Sequence, residues 1–328
     1  VECPNGVRIK KEAKDKSPTA MLSSSNCLAS CWATKKATYK AISENVALTG
    51  ISRTSFHPSP NKLVIPLWYA GRGNAEIIKN ELVEQKKSKF KGNIYHTTQV
   101  LFAYNSNKIE GSRLTEEQTE MIFETRSVIA KEGEQIRADD MIEALNHFRL
   151  FDFMLDHYEE PLTKELILKM HKILKRGTSD EYDPRYNVGG FKVLPNIIGI
   201  VNVIKTSAPE KVEKDLDSLL KIYENQEKKN IEELIDFHVR FERIHPLSDG
   251  NGRVGRILLF KECLRNEIVP FVILDQDKAF YLRGLREYDR DPIYLKDTCL
   301  NEQDIYYSLC EKLLDYYKIP EYKPRRDF

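Results

Sequence analysis

His245-Pro246-Leu247-Ser248-Asp249-Gly250-Asn251-Gly252-Arg253-Val254-Gly255-Arg256 is the stretch on which the reading of this chain turns. It lies between two helix-periodic apolar segments, Ile231 to Ile244 and Arg253 to Asn266. Pro246 stops the first helix, because a proline disfavours helical backbone in its predecessor. Gly250 and Gly252 permit backbone angles that a side chain forbids, so the loop can turn its amides toward one point. Those amides face the positive end of the following helix, an arrangement suited to phosphate. Arg253 and Arg256 stand three apart on one face of the first turn, where their forks can grip further phosphate oxygens. Cations at a helix N-terminus are unfavourable unless an anion is near, so their position is informative. Asp249 offers a hard oxygen for Mg2+ on a polyphosphate. His245 has a pKa suited to taking a proton from a hydroxyl near neutral pH.

Outward from this loop the texture is helical. Apolar stripes with polar opposite faces predict helices over Ala75 to Phe90, Thr97 to Lys108, Thr115 to Ala130, Ala138 to Tyr158, Thr163 to Lys175, Glu210 to Glu227, Asp277 to Asp289 and Glu302 to Tyr317. Thr115-Glu116-Glu117-Gln118 has the form of a capping box, and Gly177 follows Lys175 as a helix stop. Asn187 to Lys205 is the one non-helical insertion: its Val and Ile content and central Pro-Asn predict a hairpin. The fold class is therefore all-α with one β-hairpin. Residues 1 to about 75 carry three of the six cysteines, are rich in Ser, Thr and Lys, and show no sustained period, which predicts a separate N-terminal extension before a helical unit over 76–328.

The 328 residues carry 51 Lys and Arg against 50 Asp and Glu, so net charge gives no case for a sequence-independent nucleic-acid binder. No apolar run approaches the 18 or so residues that a membrane helix needs. Cys3, Cys27, Cys31, Cys263, Cys299 and Cys310 form no C-x2-C pair, which predicts free thiols and a cytoplasmic protein. His147, His171 and His238 sit singly on helical faces and read as structural.

The loop resembles the motif of the Fic family, H-x-F-x-[DE]-G-N-G-R-x-x-R, at every fixed position except Leu247, where the family usually has Phe. The resemblance runs from about residue 75 to 315, with a core at about 160–300. It implies a mainly helical Fic fold and transfer of AMP from ATP, with Mg2+, to a Tyr, Ser or Thr hydroxyl of a protein. On this reading His245 is the base and Asp249 the metal ligand, while Gly250, Asn251, Gly252, Arg253 and Arg256 hold phosphates. Ser106-Asn107-Lys108-Ile109-Glu110-Gly111 resembles the family's [ST]-x-x-x-E-[GN] inhibitory helix. Glu110 would then pair with Arg256 and Ser106 would help dock the helix. Asn187 to Lys205 would be the flap that holds the target by its edge, with Ile198, Gly199, Ile200 and Val201 nearest the reaction.

Tyr281 and Leu282 fall where the family contacts adenine, although an aromatic and a Leu on a helix serve equally as core. Two other functions stay open at this point: removal of AMP from a modified protein, with Glu110 positioning water, and nucleotide-responsive binding without turnover. Target proteins on the flap are the expected partners, self-modification and homodimerisation are compatible with the reading, and neither nucleic acid nor membrane is expected.

Overall fold

Residues 245–250 form a loop whose place is set by the helix that follows, because that helix is buried on nearly every side. The computed structural model describes residues 72–318 apart from 89, 199–203 and 226, and the expected N-terminal extension lies outside these. Among the described residues there are ten α-helices: α1 (Arg72–Ser88), α2 (Ile94–Ile109), α3 (Glu116–Thr125), α4 (Ala138–Asp156), α5 (Lys164–Lys175), α6 (Pro209–Glu224), α7 (Ile231–Ile244), α8 (Asn251–Arg265), α9 (Lys278–Glu287) and α10 (Ile293–Lys318). One antiparallel pair, β1 (Ile197–Ile198) and β2 (Ile204–Lys205), joins Ile197 to Lys205 and Ile198 to Ile204. The fold is all-α with one hairpin, and no described helix is long and apolar enough to cross a membrane.

Helix starts follow local chemistry. Asn93, Thr163 and Asn230 cap α2, α5 and α7 with side-chain oxygens, and Thr115 with Gln118 forms the expected capping box on α3. Most helix ends fall within three residues of expectation, and three boundaries differ more. Helix α3 stops at Thr125 because Arg126 turns left-handed, at φ 56°, and its amide closes on the Ile122 carbonyl. Helix α10 begins at Ile293 rather than Glu302, and its first turns bury Leu295 and Cys299 under α9. The hairpin is shorter than expected: residues 187–196 form an irregular loop in which Asn187 and Gly189 have positive φ.

Helix α8 also departs from the stripe pattern, since nearly every residue from Asn251 to Leu264 is buried. It packs against α1, α2, α4, α5 and α7, so a polar face has nowhere to meet water. Its polar residues are paired instead. Lys261 donates to the Glu160 carbonyl and to Glu262, and Glu262 accepts from Tyr223 at 2.9 Å. This central position fixes the N-terminus of α8 where α2, α4 and α5 can deliver side chains to it.

Candidate active site

His245 caps the C-terminus of α7 in the left-handed region, at φ 52°, which turns the chain out of the helix and leaves the residue half-buried. Its Nδ1 lies 3.1 Å from the Glu242 carbonyl. A carbonyl only accepts, so Nδ1 carries the proton and Nε2 is left with a free lone pair. Burial lowers the pKa, with the Lys192 charge adding to the effect, while Glu242's carbonyl, Glu110 and Asp249 act the other way. The ring is thus a neutral base at physiological pH.

The loop after it is braced from within. Asn251 spends both ends of its amide on Leu247, accepting from its N–H at 2.9 Å and donating to its carbonyl at 2.8 Å. That side chain, expected to hold phosphate, is buried and holds the loop; its backbone N–H belongs to the first turn of α8. Leu247, where the resembling motif has Phe, is fully buried and belongs to the main apolar core. Gly250 caps α8 at φ 80°, where a side chain would be strained.

The anion that the two arginines call for is supplied by the protein. Arg256 donates to Ser106 Oγ at 3.0 Å, to the Ser106 carbonyl at 2.9 Å and to Glu110 Oε1 at 2.6 Å. Glu110 terminates α2, and its carboxylate rests directly on the first turn of α8: a Cβ at Gly252 would come within 2.3 Å of Glu110 Oε1. The absence of a side chain at Gly252 is what admits it. Burial would raise the Glu110 pKa, but the charges of Arg256 and Arg253 prevail and hold it below the usual carboxylate range.

Arg253 is likewise engaged, with Glu143 Oε2 at 2.5 Å and Asp249 Oδ2 at 2.7 Å. Asp249 Oδ2 also accepts from Lys175, whose buried ammonium reaches Glu143 at 2.6 Å and Asp180 at 2.5 Å. Against the cost of burial, Arg253 and Lys175 keep Asp249 strongly ionised. Asp249 remains partly exposed, and carboxylate oxygens of Glu143, Asp180 and Asp249 lie within 4.8 Å of one another around the Lys175 ammonium, so a Mg2+ held by all three would have to displace that ammonium, whereas the exposed side of Asp249 offers a hard oxygen without doing so. Glu143, Lys175 and Asp180 escaped the sequence reading, because they come from α4, the end of α5 and the 3-10 turn Ser179–Tyr182 beyond it, and no spacing signal links them to residue 249.

The other expected residues fall in different places. Tyr281, expected at the adenine, is 1% exposed; its hydroxyl bonds His238 Nε2 at 2.7 Å and its ring lies under the Arg256 guanidinium. It serves the core behind Arg256, whereas Leu282 is exposed on the outer face of α9. Ile198 lies in β1, and Gly199, Ile200 and Val201 are outside the described residues. His147, His171 and His238 are buried; burial, with nearby cationic charge, holds His147 and His238 down to about 3 and His171 to about 4, so all three are neutral.

Residues 161–262 match the model of the Fic/DOC family, and the chain carries a Fic/DOC domain. A "probable protein adenylyltransferase" of Aquifex aeolicus is 36% identical over 87 residues, which are 26% of this chain and 27% of that one. "Protein adenylyltransferase fic-1" of Caenorhabditis briggsae is 26% identical over 215 residues, 63% of this chain and 40% of the relative. The chain thus spans well under half the length of either curated relative. Among solved structures, a Fic-domain signalling protein from Bacteroides thetaiotaomicron shares the fold at TM-score 0.56 and 22% identity, over 74% of this chain and 94% of that one. Fic-1 from C. elegans does so at TM-score 0.54 and 20% identity, over 77% and 74%.

Proposed function

We propose that this protein transfers AMP from ATP to a Tyr, Ser or Thr hydroxyl of a target protein, releases pyrophosphate, and is held back by Glu110. The observation that carries the reading is the pairing of a neutral His245, its Nε2 free, with a helix N-terminus on which a carboxylate already rests. His245 takes the proton of the acceptor hydroxyl. The hydroxyl oxygen then bonds to the α-phosphorus as the bond to the β-phosphate bridging oxygen breaks. First-turn amides of α8 face the phosphate charge. Asp249 is the ligand for Mg2+, which supplies charge neutralisation on the polyphosphate when bound. Arg256 meets the outer phosphates only after leaving Glu110, and that exchange is the restraint.

The target lies along the hairpin edge at Ile198, and the setting is the cytoplasm. The names of the curated relatives support AMP transfer. The test is to incubate wild type and His245→Ala with α-32P-labelled ATP and Mg2+, in buffer and in cell lysate. Label on protein from wild type, and a loss of about 10²-fold or more in a variant that still binds ATP, is the expected outcome. Equal labelling by both proteins refutes the assignment of His245. Absence of label from either, with removal of AMP from a modified protein, would assign the reverse reaction.

A further inference from the structure

Ahead of β1, Lys192 is a buried cation that the mechanism above does not use. It is 2% exposed, and among the described residues no carboxylate pairs with it. Its three ammonium protons meet three neutral acceptors from separate segments: Asn196 Oδ1 at 2.6 Å, Thr206 Oγ1 at 2.8 Å and the Ile244 carbonyl at 3.4 Å. Its own backbone N–H donates to the Pro246 carbonyl at 2.9 Å. Asn196 extends the tie by donating to the Leu247 carbonyl at 3.1 Å, and the Thr206 hydroxyl lies 2.7 Å from both the carbonyl and the Oδ1 of Asn196.

The partners define what the tie joins. Asn196 immediately precedes β1 and Thr206 immediately follows β2, so they are the two roots of the hairpin. Ile244, Pro246 and Leu247 bracket His245 on both sides. A lysine buried without an anion is costly, and burial pushes its pKa down to about 8. Hydrophobic packing alone would not place a charge there. The acceptor it reaches at Ile244 is a terminal carbonyl of α7, the negative end of that helix, which offsets part of the cost.

We propose that Lys192 is a positioning residue that locks both roots of the hairpin to the backbone on either side of His245, and so sets the imidazole relative to the strand edge along which an acceptor lies. The strand-edge part rests on the transfer reading above; the lock itself does not. An apolar residue of similar length would keep the packing and lose the three bonds, whereas arginine would keep charge and donors.

The test uses the full chain with Lys192→Met, Lys192→Arg and wild type, and reads three quantities. The first is the His245 imidazole titration by NMR of its Cε1–H. The groups that face this ring are Lys192, Glu110, Asp249 and the Glu242 carbonyl, and only the first changes. Removing that charge moves the midpoint upward in Lys192→Met, while Lys192→Arg stays near wild type. The second is label transfer from α-32P-ATP to protein in lysate: about a ten-fold or greater fall in kcat for Lys192→Met is expected, with KM for ATP little changed and partial rescue by Lys192→Arg. The third is the melting temperature, which separates unfolding from misplacement.

An unchanged His245 midpoint in a folded Lys192→Met overturns the lock. A shifted midpoint with unchanged transfer overturns the positioning role alone. If wild type transfers no label at all, the transfer reading fails, and the NMR arm still decides the lock.

Discussion

Replacing Glu110 by Gly is expected to raise AMP transfer about ten- to thirty-fold at limiting ATP while lowering the stability of the fold. Arg256 is 4% exposed and is held by one charge-assisted bond of 2.6 Å to Glu110 and two bonds to Ser106. A hydrogen bond to a charged group contributes about 1.5–3 kcal/mol. The Glu110 side chain is 33% exposed, so solvent screening moves this pair to the lower part of that range, roughly 1.5–2 kcal/mol. At about 1.4 kcal/mol per factor of ten, the fraction of molecules with Arg256 free to meet a nucleotide rises roughly ten- to thirty-fold. The same change leaves a buried guanidinium with neutral partners only, so the melting temperature falls. Glu110→Gln, which keeps an acceptor and removes the charge, lies between the two. Initial rates of label incorporation at low and saturating ATP, read beside thermal melts, measure both effects. A folded Glu110→Gly protein with unchanged ATP affinity and unchanged rate would refute the restraint.

Two further outcomes follow from the core around the site. Leu247 is fully buried beneath the loop, so Leu247→Ala should cost about 2–5 kcal/mol in urea unfolding, and a cost near zero would show that the loop does not rest on it. Glu242 is raised to about 8, chiefly by burial, with Arg256 opposing and Glu110 adding. Its folded pKa lies above the unfolded value of 4.5, so the native state keeps a proton that the unfolded chain releases, and the stability it contributes declines as pH rises from about 4.5 to about 8. Glu242→Gln removes that decline. The melting temperature of the variant minus that of wild type should therefore grow between pH 5 and pH 8, and a constant difference would mean that Glu242 is ionised in the folded protein.

What the sequence determined by itself is the part of this protein that is contiguous or periodic. Residues 245–256 carry their base, turn glycines, carboxylate and arginines in one run, so the loop and the start of α8 were legible from local rules alone. Ile231 to Ile244 was legible too, since its apolar period is local, while the Asn230 and Glu233 capping box that starts it came from the structure. Sequence could also nominate Glu110, but only by resemblance, because 146 residues separate it from Arg256. The tertiary structure decided the rest. It answered the two arginines with Glu110, Glu143 and Asp249, turned Asn251 inward to brace Leu247, and withdrew Tyr281 into the core. It also gave Lys192 its place between the hairpin roots and α7. The physical reason is common to all of these. A charged or polar group buried in a low-dielectric interior must find hydrogen-bonding partners wherever the fold brings them, and helix periodicity fixes which face is inward without saying which distant group will stand there.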